Sequence, residues 1–244
     1  VLDDTHYYGM LKQQYKINII IMKRIFSFSI IFLAASILLL SCKKDKNKVD
    51  EPQFDVNNPV GYVVAGKFNF TTQSGPVEIP VVFEFLANQK MRYGLIDGAG
   101  TLDYVLSEDT FLFSGLKLLI KNNKVAYFNY SGLEFPNPTF NLLKKPATNL
   151  LLGKTYTGTY YNQDQSVLHP QFFYGFKTSE NKVDAGYTVG TTVRTEDYTS
   201  IANIAALVEG NGYREFMFLN EGKLEVMYLT TGTGQIHFGT FDSQ

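Results

Sequence analysis

From Val60 onward the chain alternates apolar and polar positions with a period of two. Val60–Thr72 places Tyr62, Val64, Gly66, Phe68 and Phe70 at alternate positions, and Val77–Leu86 does the same with Val77, Ile79, Val81, Phe83 and Phe85. A strand points successive side chains to opposite faces, so this period predicts strands and not helices. Met91–Ile96 comes next and ends at Asp97-Gly98, a hairpin dipeptide. Thr101–Ser107 and Thr110–Ile120 are parted by Glu108-Asp109, and Asn122-Asn123 turns the chain into Val125–Ser131. Pro136-Asn137-Pro138 interrupts the rhythm. Proline has no N–H for a ladder, so Thr139–Leu143 is an edge strand or the start of a new one.

The second half has the same texture. Lys154–Tyr161, Pro170–Thr178, Lys182–Val189, Arg214–Leu219, Leu224–Thr230 and Gln235–Phe241 read as strands, with turns at Glu221-Gly222 and Gly232–Gly234. Thr199–Val208 reads two ways. Ser200 can cap a short helix ending near Gly210, and Ala202, Ala205 and Ala206 favour one. Asn211-Gly212 can equally be a hairpin tip. The alanines tilt the expectation to a helix.

Two stretches answer each other across the halves. Gly66-Lys67-Phe68 matches Gly153-Lys154-Thr155-Tyr156, and Asn122-Asn123-Lys124-Val125 matches Glu221-Gly222-Lys223-Leu224. The spacing between copies grows across Thr199–Gly212, as an insertion would make it. The expectation is a mostly β fold, an antiparallel sandwich or barrel built from two duplicated β units, with at most one short helix. The units span residues 59–146 and 147–244.

Before Val60 the pattern changes. Ile25–Leu40 holds no charge, follows Met22-Lys23-Arg24 and ends in Ser41-Cys42. A basic start, an apolar run and a small residue at the cut are the parts of a secretory signal, and the run is short for a membrane span of ~20 residues. Residues 1–21 precede the plausible start at Met22 and carry acids that no leader needs; they read as an upstream extension. In residues 42–58, Cys42 is followed by Lys43-Lys44-Asp45-Lys46-Asn47-Lys48, and the stretch after Cys42, almost without apolar content, reads as a flexible linker.

Leu39-Leu40-Ser41-Cys42 resembles the lipobox of bacterial lipoproteins. The resemblance implies that residues 22–41 are removed and that Cys42 carries a diacylglycerol. It implies a bacterial cell-envelope address and a membrane partner through that lipid. Lys43, where an Asp favours inner-membrane retention in that family, leaves outer-membrane sorting open and preferred. Cys42 is the single cysteine, so no disulfide within the chain and no cysteine-rich metal site is available.

Charge and motifs narrow the function. Twenty-two Lys and Arg stand against 23 Asp and Glu, a formal net charge of −1, which does not suit a phosphate backbone; no nucleic-acid partner is expected. His169 and His237 lie far apart in sequence, His169 before a proline as a loop residue and His237 in a strand. No spaced metal ligands, nucleophile elbow, glycine-rich phosphate loop or calcium loop is present, so neither metal nor cofactor is expected and no catalytic residue is assigned. Asp164, Asp184, Glu196 and Asp197 are the carboxylates for a hydrolase reading, which requires a pair facing one cleft.

Aromatics are the remaining signal. They make up 15% of the chain, without any Trp, and crowd the second unit. Tyr156, Tyr160, Phe172, Tyr174 and Tyr127 are candidates for a ligand face as well as for the core. Leu102–Phe113, with Tyr104, Leu106, Asp109 and Phe113, resembles the central hairpin of bacterial lipocalin-like lipoproteins. That implies an antiparallel barrel holding an apolar ligand or docking a partner. The expected function is a non-enzymatic binding or adhesion module for a lipid, glycan or envelope protein. The alternatives are a hydrolase of envelope polymers and a purely structural lipoprotein.

Overall fold

The computed structural model describes residues 54–72, 75–130, 133–135 and 139–244. The apolar leader, Cys42 and most of the linker lie outside the described residues. Strands form where apolar residues alternate. The first half supplies β1 (Tyr62–Thr72), β2 (Gly75–Leu86), β3 (Lys90–Leu95), β4 (Gly98–Asp103), β5 (Val105–Ser107), β6 (Thr110–Phe113), β7 (Leu116–Lys121), β8 (Lys124–Tyr130), β9 (Leu133–Phe135) and β10 (Thr139–Lys144). They pair as two antiparallel sheets, β10-β1-β2-β3-β4 and β5-β6-β7-β8-β9. Only Tyr104 separates β4 from β5, so one wall is bent across both sheets. A single apolar cluster lies between them, with Phe83, Phe85, Met91 and Phe140 from one sheet and Phe111, Phe113, Leu118 and Phe128 from the other. Its rings meet tilted or edge to face, as at Phe85–Phe111 (4.6 Å) and Phe128–Phe140 (4.9 Å), the geometry that ring quadrupoles favour.

The second half supplies β11 (Thr155–Asn162), β12 (Val167–Phe176), β13 (Lys182–Gly186), β14 (Arg194–Asp197), β15 (Thr199–Ile201), β16 (Ala205–Gly210), β17 (Tyr213–Asn220), β18 (Lys223–Thr230) and β19 (Ile236–Ser243). All nine belong to one antiparallel sheet in the order β14-β13-β12-β11-β19-β18-β17-β16-β15. Its two end strands, β14 and β15, are consecutive in the chain and separated only by Tyr198. The sheet therefore curls into a nearly closed barrel around Tyr156, Tyr174, Phe176, Met217 and Phe241.

The order β10-β1-β2-β3-β4 answers β19-β11-β12-β13-β14, and the two units share two local devices. Each first strand carries a glycine opposite a Thr-Phe pair of the last strand: Gly66 pairs with Phe140, and Gly158 with Phe241. A Cβ on Gly66 would stand 2.2 Å from the Thr139 carbonyl oxygen, and one on Gly158 2.5 Å from that of Thr240. Asn122-Asn123 and Glu221-Gly222 make matching two-residue turns with positive φ at both positions. The glycine that answers Gly66 is thus Gly158 and not Gly153, which lies in the turn before β11.

The expected helix at Thr199–Val208 is instead the β15–β16 hairpin, turning at Ala202-Asn203 with positive φ at both. No helix occurs among the described residues. Helix propensity gives way because β16 is buried on both faces. Ala206 and Val208 point into the barrel, while Ala205 and Leu207 join the contact with the first unit. That contact gathers Val63, Ala65, Val77, Val82 and Ile96 against Ile201, Ile204, Phe216, Phe218 and Met227. A second apolar layer outside the barrels explains why Val63-Val64-Ala65 is apolar without a break. Gly94 completes the fit, since a Cβ there would meet Ile201 Cδ1 at 2.3 Å. Residues 53–244 consequently form one compact unit.

Candidate functional site

Each unit contains a cavity, and the two differ in chemistry. The first opens between the sheets of the N-terminal unit. Its volume is about 490 Å³, and Phe68, Ile79, Val81, Phe83, Leu95 and Leu116 line it. Alternation brings these side chains together: Val81 and Phe83 are inward positions of β2, and Phe128 faces them from β8. The polar side chains among its described lining residues belong to Asp97, Ser114, Tyr93 and Tyr130, and Tyr130 is exposed. An apolar chamber with a few polar groups is the usual form of a small-molecule site.

The second cavity, of about 310 Å³, lies at one end of the C-terminal barrel. Tyr160, Phe172, Arg194, Glu215, Tyr228 and His237 are among its walls. Glu215 is fully buried. Its Oε1 accepts from Arg194 Nη2 at 2.6 Å, from the Tyr174 hydroxyl at 2.7 Å and from the Tyr160 hydroxyl at 3.1 Å. The Tyr160 and Tyr174 hydroxyls are also in contact, and as each has one proton, a bond between them takes the proton of one from Glu215. Arg194 Nη1 donates to the Tyr213 hydroxyl at 3.1 Å, which donates onward to Glu196 Oε1 at 2.5 Å. The guanidinium lies 5.2 Å from the Tyr213 ring centroid, and Tyr213 stacks on Tyr228 at 5.1 Å.

Strand register builds this network. Glu215, Tyr228 and His237 stand opposite one another on β17, β18 and β19, and Tyr160 stands opposite His169 on β11 and β12. Titration follows from burial. Burial opposes the Arg194 charge, but Glu215, Tyr174 and Tyr213 together outweigh it and lift the guanidinium above its ordinary range. Burial, followed by the field of Glu215, raises the Tyr160 and Tyr174 phenols well above their usual value. Tyr213 is pushed up to about 12, by burial first and then by its bond to Glu196. His237 is lowered, by burial and then by His169. Two buried polar atoms, Glu215 Oε2 and His237 Nδ1, have no protein partner.

Of the aromatic residues expected at a ligand face, Tyr160 and Phe172 line the second cavity. Tyr174 is fully buried behind it and reaches the site through its hydroxyl. Tyr156 is a core residue packed on Phe176. Tyr127, on β8, is half-buried and lines neither cavity. His169 is not in a loop; it lies within β12 and shares the second cavity with His237. The four candidate carboxylates line neither cavity. Asp164 accepts from Ser166 in a turn, which lowers its pKa. Asp184 is held by Lys177 at 2.5 Å and Thr195 at 2.6 Å. Asp197 stands opposite Lys182, and Glu196 belongs to the network through Tyr213. Arg194 and Glu215 escaped the sequence reading, because two oppositely charged residues twenty-one positions apart carry no local signature. The signal on offer was a carboxylate, Glu215, directly before the apolar run Phe216–Leu219 of a strand.

No protein-family model and no curated protein matches the chain. Among solved structures it is similar to a protein of unknown function of the DUF3598 family from Nostoc punctiforme PCC 73102. The identity is 12% and the TM-score 0.25, over 79% of this chain and 98% of that one.

Proposed function

We propose that this chain is a lipid-anchored protein of the bacterial cell envelope that binds a small apolar molecule, non-enzymatically, between the two sheets of its first unit. The observation that carries the reading is the apolar chamber of about 490 Å³ bounded by Phe68, Val81, Leu95 and Phe128. Its volume fits a lipid-sized ligand. Of the lipid, glycan and protein ligands expected from sequence, a lipid suits these walls best. A sugar would lose hydrogen bonds to water and regain few. The lipocalin-like hairpin around Tyr104 and the lipobox at Cys42 support the same reading.

Displacement of a fluorescent fatty acid, cis-parinarate, from the full chain tests it. Wild type is expected to bind saturably, and Leu95→Trp and Leu116→Trp, which fill the chamber, are expected to abolish binding while far-UV circular dichroism stays unchanged. Saturable binding that survives both substitutions would place the ligand elsewhere.

A further inference from the structure

The second barrel holds the chemistry of a different ligand. Its network joins the fully buried Glu215 to Arg194, and through Tyr213 to the half-buried Glu196 behind the cavity wall. All three donors to Glu215 use Oε1, so Oε2 is left buried with no protein partner. A buried carboxylate oxygen without a donor is costly, and a donor brought by a ligand recovers that cost. His237 Nδ1, two strands away in register, is a second such atom on the same wall.

The remaining walls are flat. His169 stacks on Phe172, and Tyr187 meets both rings edge on, at 4.8 Å from His169 and 5.5 Å from Phe172. Tyr228 faces them from β18. Three of the cavity's lining residues, Leu168, Tyr187 and Val193, are apolar and exposed. Aromatic rings beside a buried carboxylate recognise cations through their π faces. A volume of about 310 Å³ admits one ring with a short side chain.

We infer that the second barrel is a binding site for a small aromatic amine, whose ammonium group donates to Glu215 Oε2 while its ring lies among Phe172, Tyr187 and Tyr228. Arg194 serves as a positioning residue. It holds Glu215 by Oε1, which leaves Oε2 to meet the cation. This site is separate from the apolar chamber of the first barrel and does not rest on the function proposed for it.

Calorimetric titration of the full chain with three probes of one shape tests the assignment: phenethylamine, 2-phenylethanol and hydrocinnamate. Phenethylamine is expected to bind saturably, the alcohol at least about tenfold more weakly, and the carboxylate not at all. Tyr187→Ala removes an exposed wall without touching the network and is expected to weaken the amine about fivefold to tenfold. Glu215→Gln keeps the shape, removes the charge, and is expected to erase the preference for amine over alcohol. No saturable amine binding by wild type, equal or tighter binding of hydrocinnamate, or amine binding indifferent to Tyr187→Ala would each overturn the inference. Should Glu215→Gln fail to fold, the anion arm and Tyr187→Ala still decide it. Excess cis-parinarate is expected to leave amine affinity unchanged, which separates this site from the first chamber.

Discussion

Tyr104 and Tyr198 hold the same place in the two units. Each is the one residue that splits the fourth wall, each is buried, and each follows an aspartate. The backbone N–H of each donates to a carbonyl of the preceding hairpin: Tyr104 to Gln89 at 2.9 Å and Tyr198 to Asn181 at 2.8 Å. A wall bent at one residue loses a ladder bond, and this donation restores it while the ring enters the core. Tyr104 packs on Phe85 and Phe111, Tyr198 on Phe176.

The paired glycines should respond alike. Gly66→Ala and Gly158→Ala each force a methyl against backbone oxygen and the edge of a phenylalanine. Overpacking of this kind costs about 1–3 kcal/mol. Gly232→Ala, which meets nothing within 4 Å, is the control and should leave stability unchanged. Urea midpoints of the full chain check all three, and tolerance of both barrel substitutions would show that the strands can slide apart there.

Arg194 and Glu215 should be more damaging to lose singly than together. Arg194→Met leaves the buried Glu215 carboxylate without its counter-ion, a loss of about 3–5 kcal/mol. Adding Glu215→Leu removes the stranded charge, so the double variant should be more stable than the sum of the single losses predicts. A thermodynamic cycle on urea unfolding measures the coupling, and strict additivity would contradict the ion pair seen at 2.6 Å.

His237 makes stability depend on pH in one direction. Its folded pKa lies below the ordinary 6.5 because of burial and His169. The unfolded chain therefore binds a proton at a pH where the folded chain does not, so stability falls as pH falls through about 6.5. The loss levels off once the folded imidazole also protonates. His237→Asn should flatten this slope between pH 5 and 8. Urea midpoints at several pH values would show it, and an unchanged slope would assign the effect to other groups.

Cys42 is expected to carry the lipid that holds the protein to the membrane. Each buried CH₂ of an acyl chain contributes about 0.8 kcal/mol, and two chains anchor stably where one does not. Cys42→Ser should abolish fatty-acid labelling and the cut after Ser41. Metabolic labelling with intact mass reads both. Unlabelled wild type, or a mature mass that does not begin at lipidated Cys42, would remove the envelope reading.

The sequence by itself determined the strands and most of their turns. Period-two alternation shows in local text because each strand has one face in a core. Asn122-Asn123 and Glu221-Gly222 mark turns because few residues accept positive φ. The aromatic crowd at Tyr160, Phe172 and Tyr174 pointed to the second barrel, yet not to which rings line a cavity and which fill the core. That division depends on strand register and on how far the sheet curls. Only the tertiary structure turned Thr199–Val208 from an expected helix into a hairpin, because the packing of β16 on both faces outweighs what Ala202, Ala205 and Ala206 prefer alone. Tertiary structure also brought Arg194 to Glu215 and His169 into the cavity of His237. Neither pair is close in sequence. The charge of one member has physical meaning only beside the other, in a barrel interior that excludes water.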